Sequence, residues 1–200
     1  MAEIHLISDG KLDPGRFASL AAAVYPYVDY IHLREKHRSA VELLGMAEQL
    51  LRAGIPASRL VINDRLDIAL AVGAGAVQLA WHSLPPAAAR TAAPGLRLGR
   101  SVHSAAEAAE AGRQGSDYCL YGHVFPTGCK PGQQGRGLPL LEEVVRSSSI
   151  PLIAIGGIDK GNADQVIRHG AAGIAVMSGI CGAEDPVAAA HAYRLALQAV

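Results

Sequence analysis

Short apolar, β-rich runs alternate with Ala- and Leu-rich segments of helical period along the whole chain. Strands are predicted at 3–8 (EIHLIS), 28–34 (VDYIHLR), 59–63 (RLVIN), 76–80 (AVQLA), 96–102 (LRLGRSV), 117–122 (DYCLYG), 151–156 (PLIAIG) and 173–178 (GIAVMS). Between them the apolar period changes to that of a helix. The segment 41–54 places Leu43, Leu44, Ala47, Leu50 and Leu51 on one face, with Gly54 placed to end it. Helices are also expected at 105–112, with Ser104 as N-cap, at 159–170, and at 186–200, where Pro186 stands in the first turn. The GAGA run at 73–76 reads as a helix-to-strand turn.

Strand-then-helix alternation from end to end argues for a parallel sheet. Eight such units close naturally into a (β/α)8 TIM barrel, so the expectation is an α/β protein forming one compact barrel domain over residues 1–200. A doubly wound open sheet would alternate in the same way, but no G-x-G-x-x-G follows the first strand, where ISDGKLDPG stands instead.

Composition narrows the function classes. The chain has 200 residues, half of them hydrophobic, and a formal net charge of zero. A neutral surface has no global field to recruit nucleic acid or an anionic membrane, so a small-molecule partner is expected and neither of those is. The first residues lack the basic and apolar regions of a signal peptide, and no apolar run reaches the roughly 18 residues of a membrane span. Cys119, Cys129 and Cys181 match neither a disulfide framework nor a C-x-x-C site, which points to a reducing cytoplasm. Cys129 has no legible Cys/His/Asn arrangement around it, and the eight histidines include no HxH or HExxH. No metal and no cofactor is therefore expected; a homodimer is left open.

Barrel active sites form where strands end and βα loops begin, which makes strand ends the candidates. Strand 7 runs into Gly156-Gly157 and strand 8 into Met177-Ser178-Gly179, two small-residue loops suited to holding a phosphate through main-chain N–H groups. Strand 2 ends His32-Leu33-Arg34-Glu35-Lys36, and alternation puts His32, Arg34 and Lys36 on one side as a cationic trio for an anionic substrate. Asn63 and Asp64 close strand 3, either facing ligand or capping the next helix. Strand 5 offers Ser101, His103 and Ser104 as polar contacts. Strand 6 leads into His123 and a Gly- and Pro-rich stretch holding Lys130, with the character of a lid or substrate loop. His123 is the candidate general acid/base, because imidazole titrates near neutrality.

As a set, IHLREK at 31–36, VINDRLDIAL at 61–70, GHVFPTGCK at 122–130, IPLIAIGGI at 150–158 and GIAVMSGI at 173–180 resemble the thiamin phosphate synthase/TenI superfamily. The resemblance runs in order over nearly the whole chain and implies a compact TIM barrel. It covers two activities. A synthase of this kind usually carries two acidic residues after strand 4, one of them a magnesium ligand, where this chain has Trp81-His82-Ser83. It has a strand 2 Gln where His32 stands, and Gly-Pro where Gly122-His123 stands. His123 is similar to the catalytic histidine of the thiazole tautomerases, the TenI branch. On that resemblance the expected function is an isomerase of thiamin biosynthesis, a metal-independent thiazole tautomerase aromatising a phosphorylated carboxythiazole. His123 would be catalytic, Gly156, Gly157, Met177, Ser178 and Gly179 would hold phosphate, and Arg34, Lys36, Asn63, Ser101, His103, Ser104 and Lys130 would contact substrate. The rival implied by the same resemblance is thiamin phosphate synthase, coupling a thiazole phosphate to a pyrimidine pyrophosphate with Mg²⁺. A non-catalytic or regulatory ligand-binding protein of the pathway is the third reading.

Overall fold

The computed structural model describes residues 1–198. Eight parallel strands close on themselves in chain order: β1 (Glu3–Ile7), β2 (Tyr30–Leu33), β3 (Leu60–Asn63), β4 (Ala76–Leu79), β5 (Arg97–Val102), β6 (Tyr118–Gly122), β7 (Leu152–Ile155) and β8 (Gly173–Val176). The barrel closes where β8 pairs with β1, Glu3 opposite Gly173 and Leu6 opposite Val176. The strands expected from sequence are all present, each shorter by up to three residues, as β-rich sequence continues into the loops.

Helices follow the strands: α1 (Pro14–Val24), α2 (Ala40–Arg52), α3 (Leu66–Val72), α4 (Pro86–Ala92), α5 (Ala105–Arg113), α6 (Gly137–Ser147), α7 (Ala163–Arg168), α8 (Ser178–Cys181) and α9 (Pro186–Gln198). In α2 the capping box is complete: Glu42 N–H donates to Ser39 Oγ, and Ser39 N–H to the Glu42 carboxylate. Its buried face is Leu43, Met46, Ala47 and Leu50, with Leu44 and Leu51 half-buried at the margins. The helix expected at 159–170 is reduced to α7 because Asp159 and Asn162 bond locally: Gly161 N–H donates to Asp159, and Asp159 N–H to the Asn162 side chain. The last two residues of the helix expected at 186–200 lie outside the described residues. No helix among the described residues is long and apolar enough to cross a membrane.

Strand alternation sorts two cores. Ile4, Leu6, Ile31, Leu33, Ile62 and Val77 pack outward under the helices. Ile7, Tyr118, Leu120, Ile153 and Ala175 fill part of the barrel interior. Four polar side chains, His5, Ser8, His32 and Gln78, are also buried, each at 1% exposure or less.

Candidate functional site

A cavity of about 1060 Å³ opens at the C-terminal end of the strands. That volume stands at the upper end of the range for small-molecule sites. Of the residues singled out from sequence, the structure brings Arg34, Lys36, Asn63, Ser101, His103, His123, Lys130, Gly156, Gly157, Met177, Ser178 and Gly179 together around it. Ser104 is the exception. It is the N-cap of α5, its hydroxyl accepting from Glu107 N–H at 3.2 Å, and it does not line the cavity.

One rim is main chain. Gly156 and Gly157 have φ of +100° and +66°. A Cβ at Gly156 would come within 2.3 Å of the His123 Cβ, and one at Gly157 within 2.4 Å of the Pro126 carbonyl. The glycines therefore let the chain leaving β6 lie directly against β7: Val124 N–H donates to Ile155 O and Phe125 N–H to Gly156 O. Gly157 N–H meets no acceptor among the described residues, and the first N–H groups of α8 are free by helix geometry. This rim presents donors without charge.

The other rim is cationic side chain. Arg34 is half-buried; burial lowers its pKa, while the nearby Cys129 and Glu35 oppose the shift. Lys36 is exposed and Lys130 half-buried in the loop after β6. Lys130 and Arg136 place positive charge near His103, whose pKa is lowered first by burial and then by those charges. The sequence expectation of a cationic trio is corrected at one member. His32 is 1% exposed, and burial, with the neighbouring His5 and Arg97, pushes its pKa well below the ordinary value. It is a neutral group in the cavity floor.

His123 leaves β6 through a cis Gly122–His123 peptide bond and is 6% exposed, and neither ring nitrogen has a protein partner. A buried polar group without a protein partner costs free energy, and His123 lines the cavity with both ring nitrogens unpaired by protein. Ser101 is held from below, accepting from Gln78 Nε2 at 3.1 Å. Asn63 and Asp64 do not cap α3, whose N-cap is Arg65 without a side-chain bond; both face the cavity. Asp64, at φ +68°, lies 3.7 Å from His82 Nε2. His82, which sequence reasoning used only as a departure, is thus a cavity residue; its position after an apolar strand was the available signal.

Asp64 is the one carboxylate that the β3 and β4 ends contribute to the cavity lining. Among the described residues no group of three or more His, Cys, Asp or Glu could hold a metal ion, and the neighbour of Asp64 is a basic nitrogen rather than a second carboxylate.

The family profile described as thiamine monophosphate synthase matches residues 4–180. The thiamine-phosphate synthase of Chloroflexus aurantiacus is 39% identical over 198 residues, covering 96% of this chain and 90% of its own. That of Chlorobium luteolum is 46% identical over 164 residues, covering 80% and 77%. The solved thiamine phosphate pyrophosphorylase from Pyrococcus furiosus superposes with a TM-score of 0.86 at 35% identity, covering 99% of this chain and 96% of its own. These relatives overturn the tautomerase expected from sequence. That expectation rested on three local departures, at His32, at Trp81-His82-Ser83 and at Gly122-His123, whereas the likeness to proteins named as synthases spans the whole barrel. The chain belongs to the thiamine monophosphate synthase family.

Proposed function

We propose that this chain is a thiamine-phosphate synthase, joining a thiazole phosphate to a pyrimidine pyrophosphate. The observation that carries the reading is one cavity of about 1060 Å³ lined on one side by main-chain donors and on the other by Arg34, Lys36 and Lys130. Relatives bearing the synthase name over nearly full length support it.

Main-chain N–H groups at Gly157, Ser178 and Gly179 would hold the phosphate of the thiazole, since they are preset donors that need no reorganisation. Arg34, Lys36 and Lys130 would receive the pyrophosphate, with the Arg34 fork bidentate on its oxygens. In the coupling, the thiazole nitrogen bonds to the pyrimidine carbon that carried the pyrophosphate. The carbon–oxygen bond breaks, and the leaving group takes its electron pair onto oxygens held by those cations. Stabilising the departing charge and aligning two substrates are the chain's contributions. His123, buried and partner-free, would hydrogen-bond a substrate between the rims. Ser101, Asn63 and His103 complete the wall. The free cysteines, two of them buried, agree with a cytoplasmic setting.

The test is to incubate the purified chain with both substrates and follow thiamine phosphate by chromatography. Product in excess of the enzyme concentration is expected. Absence of product, with both substrates shown to bind, would overturn the reading.

A further inference from the structure

The buried histidines of the barrel interior form a connected line that the coupling chemistry does not use. His5 and His32 point inward from β1 and β2, where Ile7 pairs with His32 and His5 with Tyr30. The His5 Nδ1 and His32 Nε2 atoms lie 2.8 Å apart, a hydrogen bond between two rings exposed at 0% and 1%. At the other side of His5, Nε2 lies 2.9 Å from a carboxylate oxygen of Glu3. Glu3 opens β1 and therefore stands at the end of the barrel away from the cavity, while His32 lines the cavity. The line Glu3–His5–His32 thus crosses the interior from base to floor.

The base is firmly built. Arg97 Nη2 donates to both Glu3 oxygens, at 3.2 and 3.0 Å, and its guanidinium lies 4.6 Å from the Tyr30 ring centre and 4.7 Å from that of Tyr118. Those two tyrosine rings also flank His5, at 4.8 and 5.6 Å. Burial alone would raise the Glu3 carboxyl, but the hydrogen bonds and charges of His5 and Arg97 hold it at about 2. It is a carboxylate at neutral pH and can only accept. Burial pushes both imidazoles down, for His5 against the pull of Glu3. Both are neutral at neutral pH.

Hydrogen-bond bookkeeping then leaves one arrangement. A carboxylate acceptor requires the proton of His5 on Nε2, so His5 Nδ1 carries a lone pair. That lone pair requires the proton of His32 on Nε2, so His32 Nδ1 carries a lone pair too. His32 Nδ1 makes no hydrogen bond to any described residue. We propose that Glu3, acting through His5, fixes the tautomer of His32 so that the cavity floor presents a hydrogen-bond acceptor, Nδ1, to a neutral N–H or O–H donor on a bound ligand. Glu3 and His5 are positioning residues, and His32 is the contact. The floor is the opposite of the two rims: it favours an uncharged donor and disfavours an anion, so it selects the unphosphorylated edge of a substrate. Which substrate presents that edge rests on the coupling reading; the tautomer does not.

A doubly protonated His5 would reverse the polarity, donating from Nδ1 to His32 Nε2 and leaving His32 Nδ1–H as a donor. Long-range ¹H–¹⁵N correlation spectra of the ¹⁵N-histidine-labelled full chain, without ligand at neutral pH, distinguish the two. The His32 signal is identified by its loss in His32→Gln. The expected pattern is a protonated Nε2 and an unprotonated Nδ1 for His32. A protonated His32 Nδ1 overturns the proposal. This spectrum needs only the wild-type fold and one assignment variant. In Glu3→Gln the lock is released: His32 is expected as a tautomer mixture, and the KM of one substrate rises about two- to tenfold, the weight of one neutral hydrogen bond, with kcat nearly unchanged. Unchanged KM alongside a mixed tautomer overturns the ligand half. A locked tautomer in a chain without coupling activity leaves the relay standing and removes the coupling.

Discussion

The two rims of the cavity offer an anion different kinds of donor. The β7–β8 rim uses main-chain N–H groups set by glycines, whereas the facing rim uses Arg34, Lys36 and Lys130, long side chains at a strand end and on a loop. Main chain at a strand end is fixed by the barrel and carries no charge to screen or titrate. Cations on stems bring charge but must be ordered as ligand arrives. Under the proposed coupling the rigid rim would anchor a group that stays, and the cationic rim would take charge that develops on a group that leaves.

The comparison breaks most severely at Gly156. Gly156→Ala forces a side chain at φ +100° into the His123 Cβ and main chain, so it disturbs both the anchor and the chain leaving β6. A stability loss of about 3 kcal/mol is expected in urea unfolding, with coupling reduced at least about a hundredfold. Arg34→Ala should act on the opposite rim alone, lowering kcat/KM about a hundredfold with little change in the unfolding midpoint. Arg34→Lys should recover only part of it, because the bidentate fork is lost. Lys130→Ala, on a half-exposed loop, is expected to cost about five- to tenfold, an effect that shrinks as salt rises.

The smallest effect is on stability against pH, and it belongs to the floor. His5 and His32 have folded pKa values below that of the unfolded chain, so the unfolded state binds more protons and stability falls as pH drops below about 6.5. Glu3 is depressed from 4.5 to about 2, so its contribution is complete above 4.5 and lost between there and 2. The groups facing this line are Arg97, Tyr30, Tyr118 and Asp29. Unfolding followed across pH should show Glu3→Gln flattening the lower window. An unaltered profile in the variant would contradict it.

The barrel was legible because each strand and helix announces itself over a few residues: Ser104 before an Ala-rich helix, Gly54 after α2, Gly73 in the left-handed turn ending α3. The rims were legible because strand ends in a barrel converge by geometry. The floor was not. Glu3, His5 and His32 meet only when β1 pairs with β2, 27 residues apart from His5 to His32, and alternation alone gives His32 the same side as Arg34 without saying that it is buried and neutral. The reaction was misread for a related reason. His123 and Trp81-His82-Ser83 are local departures, and local departures weighed more in a short motif than in a barrel matched from end to end.

Pyrophosphate release measured with each substrate alone and with both together tests the central claim most directly. The account predicts release only when thiazole phosphate and pyrimidine pyrophosphate are both present, one pyrophosphate for each thiamine phosphate formed. Release that ignores the thiazole phosphate, or none at all in a folded chain that binds both, would contradict it.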